Sequence, residues 1–336
     1  MSDESEYEKF MGEIDSTIEE SNVVTLGKPL RLNLTTIDFG DLLNREFPPR
    51  ENILAPWLPT QGLCMIYAGR GVGKTHMALG VAYAVSSGGE FLGWVSDKPR
   101  KVVYIDGEMP VVTMQERLAA ITAAAPTEPL PGHLKLINPD LQEQYMPDLA
   151  SKEGQAAIAP HLEGVDLIIV DNISTLCRSG AENKADDWGM VQEWALLQRS
   201  RGRSVLFIHH AGKGGAQRGT SKREDVLDTV INLRHPSDYS PEQGAKFEIH
   251  FEKSRGVMGD AVRSMLASLT IDHQCVPRWY VETLEESTYS RVIDLYSEGL
   301  SQKEIAEEVG INKSNVSRKI RKAKSEGLVS KKEGRK

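Results

Sequence analysis

Ala68-Gly69-Arg70-Gly71-Val72-Gly73-Lys74-Thr75 sets three glycines ahead of a Lys-Thr pair, with His76 next in line. Glycines at this density let a backbone curl until its N–H groups converge on an anion. The lysine then reaches terminal phosphates, and the threonine hydroxyl is a hard-oxygen ligand suited to magnesium. Residues 68–76 are therefore read as a phosphate-binding loop. Ala68 stands where the strict pattern has glycine, a small-for-small change. Three further groups can complete a phosphate chemistry. Asp171 closes an apolar run and is placed to hold Mg2+ with Thr75. Glu108, two residues beyond Asp106, can orient or deprotonate an attacking water, and Asp106 competes for that role. His209 and His210 close a third apolar run, where a polar side chain can sense the terminal phosphate.

These groups need a scaffold that brings strand ends together. Leu63–Tyr67, Lys101–Glu108, Asp166–Asp171 and Ser204–His210 are short runs, apolar up to their closing polar residues, as buried parallel strands are. Between them lie helical stretches: Thr75–Val85, a segment with Leu118 and Ile121 on its apolar stripe, Ser151–Leu162, and Asp187–Arg201. His133–Asn138 adds a short strand. This alternation predicts an α/β fold with a mostly parallel central sheet, whose ligands gather at the carboxyl ends of the strands. Strand-like runs at Val230–Leu233, Lys246–Phe251 and Ser264–Ile271 are expected to extend it by hairpins. Four prolines between Ile37 and Gln61 read as a stiff lead-in, neither helix nor central strand, in which Trp57 either packs on the core, the favoured reading, or flanks a nucleotide base.

From Ser287 the pattern is wholly helical. Ser301-Gln302-Lys303-Glu304 is a capping box, Gly310 ends that helix, and Lys313–Glu326 reads as another. Val292, Leu295, Ile305, Ala306, Val309, Ile311, Val316 and Ile320 make a small core. The arrangement is a helix-turn-helix that reads DNA from Lys313 onward. Ser314, Asn315, Ser317 and Arg318 are placed for base edges, and Arg321 with neighbouring lysines for phosphates. A solvated protein-binding module is the competing reading.

Charge is unevenly spread. The formal net charge is -8, which excludes a basic nucleic-acid coat. Yet residues 1–20 hold eight acidic side chains and one lysine, while residues 311–336 hold ten basic and two acidic ones. The ends thus read as an acidic, solvated arm over 1–35 and a basic tail over 331–336, flanking domains at 36–284 and 287–330. Cys64, Cys177 and Cys275 are odd in number and form neither a metal pattern nor a disulfide framework. With no spanning apolar run and no signal peptide, the expectation is a cytoplasmic, membrane-free protein.

The order of Ala68–Thr75, Ile105-Asp106-Gly107-Glu108-Met109, Ile168–Asp171, Phe207–His210 and Arg218-Gly219-Thr220-Ser221 resembles the RecA-type hexameric ATPases. Within them it is most similar to the RepA-type plasmid replicative helicases and their relatives in the DnaB superfamily. The resemblance covers residues 50–284. It implies ATP and Mg2+ as ligands, with ATP the default nucleotide because no guanine signature is present. It favours Glu108 over Asp106 through Glu108-Met109 followed by Arg117, and His210 as the phosphate sensor. It makes Lys253 and Arg255, in Phe251–Gly259, fingers that reach a neighbouring subunit's nucleotide; an exposed basic hairpin is the alternative. It also implies a homo-oligomeric, hexameric ring, with two pore loops on single-stranded DNA. One loop runs over 172–187 with Arg178 and Lys184, the other over 211–225 with Lys213, Arg218, Lys222 and Arg223. The C-terminal domain would meet duplex DNA. The implied activity is ATP-driven translocation in replication of a plasmid, phage or other mobile element. An ATP-switched DNA-binding regulator and a recombinase-like filament ATPase are the alternatives.

Overall fold

In the computed structural model the described residues are 34–178, 185–212 and 224–329, with side chains at 185–187 excepted. The chain divides into two units, residues 1–49 and 50–336. In the first, α1 (Phe39–Asn44) starts where the Asp38 carboxylate accepts from the Gly40 N–H at 2.9 Å. The prolines at 48 and 49 lie beyond this helix, so they do not preclude it.

The second unit opens with a two-stranded hairpin, β1 (Asn52–Leu54) and β2 (Leu58–Pro59). The lead-in was expected to be neither helix nor central strand; α1 departs from that, whereas this hairpin is a separate two-stranded sheet, with Pro56 in its turn and Pro59 at its end, where the missing N–H costs no ladder bond. Trp57 is fully buried, edge-on to Trp94 at 5.3 Å between centroids, so packing is its role.

The elements that follow are β3 (Leu63–Ala68), α2 (Lys74–Ser87), the short pair β4 (Glu90–Phe91) and β5 (Trp94–Val95), β6 (Val102–Asp106), α3 (Val111–Ala124) and β7 (Leu134–Ile137). Then come α4 (Lys152–Ile158), β8 (Leu167–Asp171), α5 (Ile173–Leu176), α6 (Ala185–Ser200), β9 (Ser204–His210) and β10 (Thr229–Arg234). The helix expected over Ser151–Leu162 is α only to Ile158; Pro160 sits in the 3-10 turn that continues it. Three antiparallel strands complete the sheet: β11 (Lys246–Ser254), β12 (Met265–Ile271) and β13 (Pro277–Thr283).

The nine-stranded sheet has the order β13-β12-β11-β10-β3-β9-β8-β6-β7. From β10 through β7 every pairing is parallel; from β10 outward to β13 every pairing is antiparallel. This is the RecA-like α/β core with a mostly parallel central sheet. Strand residues alternate between two apolar layers, one holding Ile66, Tyr104, Ile169 and Leu206, the other Met65, Val103, Ile168, Val170 and Phe207. Helix α2 lies in the first layer and is buried almost all round, which is why its sequence shows no polar stripe. Trp188 and Trp194 of α6 fill the second.

β13 was not foreseen. It is an edge strand paired only with β12 and mostly exposed, so it lacks an apolar signature. It runs without a linker into α7 (Leu284–Ser297), because Thr283 is both its last residue and the helix N-cap, in a capping box with Glu286. The helix begins three residues before Ser287, where the wholly helical pattern was expected to start. Helices α8 (Gln302–Val309) and α9 (Lys313–Ser325) complete the C-terminal helix-turn-helix around Val292, Leu295, Tyr296, Ile305, Val316 and Ile320. Among the described residues no helix is long and apolar enough to cross a membrane.

Candidate functional site

The loop between β3 and α2 is shaped by two glycines at positive φ, Gly71 at 79° and Gly73 at 123°. A Cβ on Gly73 would also lie 2.8 Å from the Phe247 ring. No side chain caps α2, so the N–H groups of its first turn are left to face a ligand. The Lys74 ammonium is buried and donates to the carbonyls of Gly69 (2.8 Å) and Ala68 (3.3 Å). Burial pushes its pKa down, while Asp171 and Glu108 hold it up.

A cleft of about 800 Å³ opens above this loop. Arg70, Gly71, Gly73, Lys74, Thr75 and His76 line one wall, Glu108, Arg117, Asp171, Asn172 and His210 another, and Tyr239, Gly244 and Ala245 a third. The strand ends thus bring together residues spread over 170 positions of sequence.

Asp171 ends β8, buried, accepting from the Tyr104 hydroxyl at 2.6 Å and from the Thr75 hydroxyl. Burial raises its pKa, against those two hydrogen bonds. Thr75 and Asp171 therefore already stand in contact, as a shared oxygen-ligated cation needs. Among the described residues no cluster of three or more acidic, His or Cys side chains makes a complete metal cage.

Asp106 and Glu108, expected on one strand face, part company. β6 ends at Asp106, and the chain turns at Gly107, whose N–H donates to the Asp171 carbonyl at 2.7 Å. A Cβ there would strike Thr175 Oγ1 at 2.3 Å. Asp106 is left buried beneath the turn, accepting from the Met109 N–H (2.9 Å) and Asn138 Nδ2 (2.8 Å), with its pKa raised by burial to about 6. Glu108 projects into the cleft, its side chain 48% exposed and its Oε1 3.6 Å from His210 Nε2.

The two histidines separate as well. His209 is buried, and His210 faces the cleft. Asn172 Oδ1 accepts from the Ser174 N–H, which orients Nδ2 toward His210 Nε2 at 3.3 Å. Burial, then the Lys74 charge, lowers the His210 pKa, so the imidazole is neutral at pH 7. Nε2 thus faces both Asn172 Nδ2 and the Glu108 carboxylate, while Nδ1 is buried with no hydrogen-bond partner among the described residues.

Lys253 and Arg255 do not join this cleft. β11 runs antiparallel to β10, so its C-terminal end pairs with Thr229 and lies level with Cys64 across β10, at the opposite end of β3 from the loop. Five residues of strand, about 16 Å, intervene. There the Lys253 ammonium donates to the Glu224 carbonyl and Arg255 to the Asp225 carbonyl at 2.7 Å. Lys184, Lys213, Arg218, Lys222 and Arg223 lie outside the described residues, and Arg178 donates to the Met146 carbonyl. Tyr239 was missed by sequence reasoning. It sits on the loop after β10 with its ring stacked on His235 at 3.6 Å, and a lone loop tyrosine carries no motif.

In the helix-turn-helix, Asn312 caps α9, accepting from the Asn315 N–H and the Ser314 hydroxyl. Ser314, Arg318 and Arg321 are exposed, Asn315 and Ser317 half-buried. Arg318 donates to Asn315 Oδ1 at 2.9 Å, so these two present a preformed amide–guanidinium pair. One flank of α9 adjoins α7: Lys319 and Lys322 lie over the Tyr289 ring, and Asn315 and Arg318 share a groove with Arg263, Glu285 and Glu286.

Residues 28–216 match the family model described as AAA domain. Residues 297–330 match that of winged helix-turn-helix DNA-binding; their described part, to 329, holds helices and no strand. Among solved structures, a KaiC-like protein from the hyperthermophilic archaeon Pyrococcus horikoshii is 13% identical with a TM-score of 0.46, over 68% of this chain and 93% of that one. The flagellar accessory protein FlaH from Methanocaldococcus jannaschii is 14% identical with a TM-score of 0.44, over 66% and 90%.

Proposed function

The chain belongs to the AAA domain family, and from that premise we propose that it is an ATP-hydrolysing motor of the RepA helicase type. In this reading ATP is cleaved at the subunit interfaces of a ring, and the ring moves along single-stranded DNA. The observation that carries it is the split of the machinery. Lys74, Thr75, Asp171, Glu108 and His210 gather on one cleft, while the cationic pair Lys253 and Arg255 stands at the far end of the same sheet. An arginine that cannot reach its own site is suited to reach a neighbour's, and a ring of like subunits supplies that geometry.

The loop N–H groups and Lys74 bind the phosphates. Thr75 and Asp171 would hold magnesium, whose charge would offset that developing on the phosphate oxygens. Glu108 orients a water and takes its proton, free to do so because it has no buried structural partner. Neutral His210, hydrogen-bonded to Asn172, lies between the cleft and the loop that starts at Ala211 and couples the two. Lys213, Arg218, Lys222 and Arg223 grip the strand by its phosphates, and α9 holds duplex DNA for loading.

A second reading, an ATP-switched DNA-binding regulator, is favoured by one feature. β13 enters α7 without a linker, and its Trp279 stands edge-on to His76 at 6.3 Å between centroids, next to the phosphate loop. Strand displacement on a forked duplex separates the two, read beside ATPase rate against added single-stranded DNA. The motor unwinds, and its ATPase rises with single strand, also in a chain truncated after Thr283 that has lost duplex binding. No unwinding and no stimulation, with tight binding to one duplex sequence, overturns the motor in favour of the regulator.

A further inference from the structure

Alongside the nucleotide cleft a second cavity, of about 280 Å³, opens between α2, α3 and the antiparallel strands β12 and β13. The two cavities share His76 and Arg117 as a common wall. The second one is largely apolar and aromatic, with Phe91, Ile121, Leu269 and Trp279 around it. Its floor depends on Gly80, since a Cβ there would lie 2.3 Å from the Phe91 ring.

Two polar groups in this apolar setting are unmet. Tyr83 lines the cavity at 5% exposure, and its hydroxyl has no hydrogen-bond partner among the described residues. Buried hydroxyls without partners are rare, because each forfeits the hydrogen bonds it made to water. Arg117 is half-buried, and no carboxylate among the described residues lies within ion-pairing distance of it. Of the other basic groups, Arg278 is held by Asp272 at 2.7 Å. His76 is neutral at pH 7, its pKa lowered to about 4 by burial and by Arg117. The exposed Glu90 marks the rim. The cavity therefore offers one uncompensated positive charge, one orphan phenol and a flat aromatic wall.

We propose that this cavity is a binding site for a small aromatic anion, a ring system bearing one carboxylate or sulfonate, separate from the phosphate-binding cleft. The ring packs between Trp279 and Ile121, the anionic group meets Arg117, and a polar atom of the ligand satisfies the Tyr83 hydroxyl. Such a pocket follows the general pattern of small-molecule sites, mostly apolar with a few convergent polar groups. The site does not depend on the motor reading; it requires only the folded AAA domain. Its occupant touches Trp279, on the strand that leads into the helix-turn-helix.

The test uses the intact chain and two fluorescent probes of nearly equal shape, 8-anilinonaphthalene-1-sulfonate and the uncharged N-phenyl-1-naphthylamine. The expected result is one saturable sulfonate site per chain, retained when a non-hydrolysable ATP analogue is in excess. The neutral probe should bind roughly tenfold more weakly at low salt, the worth of one charge-assisted contact. Ala124→Trp fills the cavity and should weaken sulfonate binding at least tenfold, with circular dichroism and basal ATP hydrolysis unchanged. Tyr83→Phe, which cannot disturb packing, should weaken it about fivefold and decides the matter if the tryptophan variant misfolds. Stoichiometric displacement by the ATP analogue would make the cavity the nucleoside end of the first cleft and overturn the proposal. So would equal affinity for the two probes, or undiminished binding in Tyr83→Phe.

Discussion

Glu108 and Asp106 are two residues apart, and the structure assigns them opposite consequences on mutation. Glu108→Gln removes a carboxylate that is 48% exposed and whose nearest basic neighbour is His210 at 3.6 Å, neutral at pH 7. Its stability should change by less than about 0.5 kcal/mol, as for surface positions. Its hydrolysis should fall by roughly a hundredfold to ten-thousandfold, about 3–5 kcal/mol of barrier, if it orients and deprotonates water. Asp106→Ala strands the Met109 N–H and one Asn138 Nδ2 hydrogen, which now donate to it at 2.9 and 2.8 Å, while the other Nδ2 hydrogen stays on the Met109 carbonyl at 2.7 Å. Each buried donor left unmet costs about 1–3 kcal/mol. The sum, about 4 kcal/mol, lowers the melting temperature by roughly 8–16 °C for a unit this large. The assay pairs steady-state phosphate release at saturating ATP with thermal unfolding, for both variants. Glu108→Gln hydrolysing at the wild-type rate would refute the assignment. An Asp106→Asn chain that melts normally yet is inactive would give the catalytic role to Asp106.

Gly73→Ala places a Cβ at φ 123° and 2.8 Å from the Phe247 ring. Strain and overpacking together should cost about 2–4 kcal/mol and abolish binding of a fluorescent nucleotide; a variant that binds normally contradicts the loop geometry. His76, with a folded pKa of about 4 against 6.5 unfolded, resists protonation in the folded state. Its stabilising effect is whole above pH 6.5 and is lost as the pH falls to 4, at most about 3 kcal/mol. In urea unfolding, wild type should therefore lose more stability than His76→Leu between pH 7 and 4.5; parallel losses would remove His76 as the cause. Arg255→Ala should bind nucleotide and assemble but hydrolyse about a thousandfold more slowly. Mixing it with Lys74→Ala subunits should restore part of the rate, and full activity of a dilute monomer would refute a role across the interface.

Much of this protein is written locally. The loop of residues 68–76 needs only its glycines, lysine and threonine in order. The apolar runs that became β3, β6, β8 and β9 are buried on both faces, so they read as strands wherever they are met. The small core of the helix-turn-helix follows from helical spacing and two caps, Ser301 and Asn312. Sequence also placed candidates at strand ends, since that is where parallel sheets present their ligands. It could not choose between neighbours. Asp106 and Glu108 share an expected face, and only the turn at Gly107, forced close to Thr175, buries one and exposes the other. His209 and His210 are likewise told apart by which side of β9 faces the cleft. β13 escaped because an exposed edge strand satisfies half its backbone in solvent and needs no apolar pattern. The distance of Lys253 and Arg255 from the phosphate loop, and the unpaired Arg117 between two cavities, come from strand order and helix packing. Those are long-range choices, decided by how the layers close rather than by any residue's neighbours in the chain.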